Sequence, residues 1–197
     1  MPKHWMLAIA SLAAAASLST LAPARAAAQD AAAPASAAGM KADLLHWVSD
    51  AESKLNQLAD AMPAAKYSWR PGKGVRSVGE VYMHVATANY GIPSMWGASV
   101  PAGFNPQTYE KSLTSKAEVQ KALRESFVSL KEKIGALSDA DFDRSITMYG
   151  SPSTVRNACF LVLTHCHEHL GQSIAYARTN GVVPPWSKPV PAAKPTQ

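Results

Sequence analysis

Cysteine is scarce in this chain: 197 residues contain two, Cys159 and Cys166. They stand seven apart in a stretch that reads as one helix, so about 10 Å separates them, too far for a disulfide within an intact helix. Both read as small core residues. Cys166 also makes a poor third metal ligand, because it is turned about 100° from His165. No cysteine lies near residue 28, which argues against a lipid-anchored exported protein. Charged residues make up 17% and aromatics 8%, and the formal net charge is +5. There is no basic run and no interleaving of arginine with aromatics, which argues against nucleic-acid binding. The zinc-protease pattern H-E-x-x-H is missing too, since Glu168 follows His165 by three. The longest apolar run, Trp5 to Leu21, is short and alanine-rich for a membrane span.

That run follows a basic start, with Lys3 and His4, and precedes Ala24-Arg25-Ala26. This is the layout of a secretory signal peptide over residues 1–28, and it predicts export, to the periplasm of a bacterium. Cleavage would leave no stable membrane insertion, and removing Lys3 and Arg25 would lower the formal charge to +3. An uncleaved anchor is the alternative. Residues 29–39, rich in Ala, Pro and Ser, read as a disordered leader, and 187–197 as a flexible tail.

The domain between them, residues 40–186, reads as all-α. The first helix spans Met40 to Met62, with Leu44, Val48, Ala51, Leu55, Leu58 and Met62 on one seam. Ser77-Val78-Gly79-Glu80 is a capping box that opens the second helix, which Pro93 ends or kinks. A second box, Ser115-Lys116-Ala117-Glu118, opens the third, whose seam runs Val119, Leu123, Phe127, Leu130, Ile134 and Leu137. Between these helices, Gly97 to Thr114 reads as a long loop in which Phe104 and Tyr109 cover one end of the bundle. Ser151 with Pro152 at the first helical position predicts the start of the fourth helix, and Gly181 with Pro184-Pro185 its end. Four seamed helices make a four-helix bundle the economical architecture.

The fourth helix holds the most informative stretch, Thr164 to Gln172. Three of the chain's six histidines fall in five residues there. His165 and His169 are one turn apart and share a face, whereas His167 points away. The pair interrupts an apolar stripe of Val155, Ala158, Cys159, Val162 and Tyr176. Buried imidazoles need partners, and either a divalent metal or an all-protein hydrogen-bond network would satisfy them. On the second helix His84 lies at the edge of the core stripe. His46 reads as a surface residue.

Trp69-Arg70-Pro71, Ser77-Val78-Gly79-Glu80 and His84, taken with His165-x-x-x-His169-x-Gly171-Gln172, resemble the signatures of the DinB family within the DinB/YfiT-like metalloenzyme superfamily. The resemblance covers about residues 40–186. It implies up-down-down-up connectivity and a divalent-metal triad of His84, His165 and His169. Three neutral imidazoles suit zinc, nickel or iron. Leu170 departs from the arginine often found before Gly-Gln in the family. The resemblance implies a metal-dependent hydrolase acting on a small molecule, with Glu168 or Gln172 orienting the water. The alternatives are a thiol-dependent transferase and a non-catalytic metal-binding or stress-associated periplasmic module. Trp47 or Trp96, if exposed, would support a homodimer.

Overall fold

The seam of the first helix decides where the core lies. In the computed structural model, which describes residues 37–187, α1 spans Ala37–Ala61 and all six seam residues are buried. The helix starts three residues before the expected Met40, because Ala37 and Ala38 are strong helix formers and extend it into the leader. The signal segment, the rest of the leader and the tail beyond Ser187 lie outside the described residues.

Helix α2 spans Val78–Ser94, and its capping box forms in full. Ser77 N donates to Glu80 Oε2 at 2.7 Å and Glu80 N to Ser77 Oγ at 3.3 Å. Pro93 sits in the last turn. The connection to the next long helix contains a single turn, α3 (Pro106–Tyr109), capped by Asn105. Helix α4 spans Lys116–Gly135 with its predicted seam buried. Its expected capping box is half formed: Glu118 N donates to Ser115 Oγ, but the Glu118 carboxylate takes the Ser115 hydroxyl instead of the backbone N–H.

Ser151 and Pro152 do not open the last helix. They belong to β2 (Ser151–Thr154), which pairs antiparallel with β1 (Ser145–Met148), Thr147 opposite Pro152. Tyr149 and Gly150 form the two-residue turn at φ 50° and 81°, the positive values that favour a hairpin. Proline is tolerated because a two-stranded ribbon has only edge strands. Helix α5 (Val155–Thr179) starts three residues later than Ser151 and Pro152 implied, with Thr154 Oγ1 accepting from Asn157 N at 3.2 Å. It ends as expected at Gly181, φ 75°. Gly181 N donates to Arg178 O and Val182 N to Ala177 O, the two bonds of a Schellman motif.

The four long helices pack as a bundle in which α1 and α2 each lie against α4 and α5. Lys41 meets Leu137 O and Lys131 meets Glu52, so α4 runs against α1. Tyr176 meets Arg76 O and Cys166 meets Asn89, so α5 runs against α2. Among the described residues no helix is long and apolar enough to cross a membrane. At mid-height Asn89 Nδ2 donates to Ser126 Oγ and Cys166 Sγ donates to Asn89 Oδ1, a buried network that ties α2, α4 and α5 together. Both cysteines are buried, and burial pushes each thiol up to about 12. Trp47 is 50% exposed, whereas Trp96 is only 6% exposed, so Trp96 is not available to a partner. His46 is exposed as expected.

Candidate metal centre

Antiparallel packing of α2 on α5 brings His84 level with His165 and His169. One ring nitrogen from each histidine lies within 4.8 Å of the other two. His165 differs slightly from expectation: Cys166 takes the core line, and His165 stands beside it, half-buried. His169 is buried.

The outer nitrogens determine how the rings face. His84 Nδ1 donates to Glu110 Oε2 at 2.8 Å, and His169 Nδ1 donates to Gln172 Oε1 at 2.8 Å. A neutral imidazole with its proton on Nδ1 presents a lone pair at Nε2. His84 Nε2 lies 3.0 Å from His165 Nε2. His165 Nε2–H is then the donor of that contact, which leaves His165 Nδ1 buried without a hydrogen-bond partner.

These residues fit a divalent ion. Nitrogens each about 2.1 Å from one ion stand about 3 to 3.4 Å apart, the scale of the contact seen here. Coordination through His165 Nε2 would move its proton to the orphaned Nδ1. Burial holds His165 well below its ordinary value, at about 3, helped by His169, His84 and the Arg76 charge. Burial also lowers His84, against the raising effect of Glu110. Both rings are therefore neutral at pH 7, the form that binds metal.

Each partner is itself held. Arg76 Nε and Nη2 donate to Glu110 Oε1 and Oε2 at 2.7 and 3.2 Å. Burial raises the Glu110 carboxyl, but hydrogen bonds from Arg76 and His84 hold it below the usual range overall. Gln172 Nε2 donates to the Tyr176 hydroxyl, which donates to Arg76 O. Trp69 packs edge-on against Tyr176 at 5.3 Å, bracing the chain from the bundle end. Carboxylate or amide oxygens on the far side of ligating histidines fix ring tautomer and orientation.

The sequence reading placed Gln172 near the site but in the wrong role. Its amide is engaged by His169 and Tyr176, and Glu168 is exposed, so neither is placed to orient a water. Glu110 and Arg76 were missed. Arg76 precedes a recognisable N-cap, which was its one local signal. Glu110 follows α3 in the long connection with no motif around it.

A cleft of about 490 Å3 opens beside His84 and His165. A separate polar basin borders Arg70, Arg76, Glu80, Glu110 and Gln172 on the outer side. The Gly97–Thr114 connection serves both. Phe104 and Tyr109 pack edge-on against Tyr90 at 5.5 and 5.9 Å, which places Phe104 in the cleft wall and Glu110 against His84.

No protein in the curated set compared matches the chain. Solved structures do. A DinB-like protein from Bacillus cereus superposes with a TM-score of 0.64 at 19% identity, covering 72% of this chain and 93% of its own. A DinB-like protein from Bacillus subtilis gives 0.57 at 21% identity, over 75% of this chain and 96% of its own. YfiT from Bacillus subtilis, described as a probable metal-dependent hydrolase with an unusual four-helix bundle topology, gives 0.57 at 18%, over 72% and 88%. At these identities the likeness establishes the fold. The sequence profile of the DinB superfamily matches residues 48–173, more than half of the chain and all three clustered histidines, and the chain belongs to that superfamily.

Proposed function

We propose that this protein is a metal-dependent hydrolase that holds a divalent ion with His84, His165 and His169. The observation that carries the reading is the convergence of three ring nitrogens beside an open cleft, with two outer nitrogens fixed by Glu110 and Gln172. Zinc, nickel and iron all suit three imidazoles. A divalent ion bound there would lower the pKa of a water and polarise the substrate oxygen. The chain's part is to hold His84 and His165 neutral, to orient the rings of His84 and His169, and to admit the substrate through the cleft. Hydrolysis consumes one water: its oxygen bonds to the electrophilic centre, the bond to the leaving group breaks, and the leaving group departs with a proton.

A second reading has its own support. Glu110 is committed to His84 and Arg76, and Glu168 is exposed, so neither stands free as a general base on the inner face. A module that holds metal without turnover would need none. The test is elemental analysis of the purified protein beside a His165→Ala/His169→Ala variant, followed by hydrolysis assays on the metal-loaded form. About one equivalent of metal in the parent, none in the folded variant, and turnover that disappears with the metal is the expected result. Metal without turnover favours the second reading; no metal after reconstitution refutes both. We also propose an extracytoplasmic location, supported by the pattern of residues 1–28 alone. The N-terminal mass of the protein recovered from cells checks it.

A further inference from the structure

The two sides of the histidine cluster differ in chemistry. The outer basin is lined by Arg70, Arg76, Glu80, Glu110 and Lys111. The cleft beside His84 and His165 has no Asp, Glu, Lys or Arg in its lining. Its walls are Ile92 from α2, Met95 just past its end, Val100 and Phe104 from the connection, and Leu161 from α5. The two aliphatic hydroxyls there are already donating: Thr87 Oγ1 to Met83 O at 2.8 Å and Ser94 Oγ to Gly91 O at 2.6 Å. Along the walls away from the histidines, a charged ligand group would lose hydration and find no side-chain counter-charge. An apolar group would lose only unfavourable contact with water. The volume, about 490 Å3, lies within the range of small-molecule sites.

We infer that this cleft seats an uncharged apolar group of the substrate, an acyl chain or aromatic ring, with the bond to be cleaved at the His84–His165 end. The position of that bond rests on the hydrolase reading; the apolar seat does not. Gly91 supports the assignment and supplies its test. It lies on the cleft wall of α2, and a Cβ built there meets nothing within 4 Å. Leucine and phenylalanine suit a helix better than glycine, and at position 91 either side chain extends into unfilled space. Gly91→Phe and Gly91→Leu therefore narrow the cleft without disturbing the core.

The experiment uses the zinc-loaded full chain and N-phenyl-1-naphthylamine, a neutral dye that brightens on leaving water, with the anionic anilinonaphthalene sulfonate as comparator. The neutral dye is expected to bind the parent at one site and at least tenfold more tightly than the anion. Both Gly91 variants are expected to weaken it tenfold or more, with zinc content and melting temperature kept. Dye binding that is absent, or equal in parent and folded variants, overturns the assignment. A ladder of p-nitrophenyl esters from acetate to octanoate provides the second arm. In the parent kcat/KM is expected to rise up to about fourfold per methylene, the transfer value for a buried CH2, and the rise should flatten in Gly91→Phe. Hydrolysis with no dependence on chain length overturns the seat. Dye binding that Gly91→Phe abolishes, with no ester cleaved, upholds the seat and refutes the hydrolase reading.

Discussion

Removing the Glu110 side chain tests the centre where the sequence was silent. Its carboxylate receives His84 Nδ1–H at 2.8 Å and both Arg76 donors. The His84 and Glu110 side chains are 24% and 19% exposed, so solvent screens the pair only partly. In Glu110→Ala, His84 loses the partner that fixes its tautomer and ring angle. Arg76 also becomes an uncompensated cation near the cluster, and its charge already disfavours a positive charge on His84 and His165. Charge-assisted hydrogen bonds contribute about 1.5 to 3 kcal/mol, and loss of such an outer partner weakens metal binding by about 10- to 100-fold. Both effects act in that direction. Glu110→Gln keeps an acceptor for His84 and loses the charge, so its affinity should fall between parent and Glu110→Ala. The assay is zinc competition against a chelating dye at pH 7.5, with thermal melts with and without zinc. A folded Glu110→Ala protein that binds zinc within twofold of the parent, with the same zinc-induced rise in melting temperature, would refute the role given to Glu110.

Gln172→Leu should reduce zinc affinity by about tenfold in the same competition assay, because His169 loses its oriented acceptor. Acidification should destabilise the metal-free protein: His165 stays neutral in the fold down to about pH 3, while the unfolded chain takes up that proton below about 6.5. Its contribution is thus present above pH 6.5 and lost as pH falls, so melts at pH 7 and 5 should differ by less in His165→Gln. Thr154→Ala should lower unfolding free energy by about 1 kcal/mol in a urea titration, and Ser151→Ala by less than about 0.5, since Thr154 is the N-cap. Tyr109→Ala removes contacts with Tyr90 and Phe104, and hydrogen exchange should show faster opening of residues 97–114 with weaker zinc binding.

The bundle was legible because its information is periodic. Steps of four and three on α1 and α4 name the buried residues directly, since those side chains contact the core and little else. Caps read well where the reciprocal bonds are local, as at Ser77 and Glu80. The Ser151-Pro152 reading failed because its cap signal is equally a strand-edge signal. Tyr149 and Gly150 settle the matter by turning the chain into a hairpin, and Tyr149 carries no composition cue for a positive φ.

The same distinction runs through the site. His165 and His169 are visible together because helical spacing puts them on one face, and the family resemblance adds His84. The support of His169 is local, Gln172 three residues on, but that of His84 is long-range: 26 residues separate His84 from Glu110, and 34 separate Arg76 from Glu110. Such contacts exist only after the connection has folded back over α2. The connection folds back by way of apolar contacts, Phe104 and Tyr109 on Tyr90, which also build the cleft wall. One segment therefore sets both the wall that meets the substrate and the carboxylate that orients His84. A change in wall packing at Phe104 should reach metal affinity through Glu110, a coupling that neither the histidine spacing nor the apolar seams would reveal.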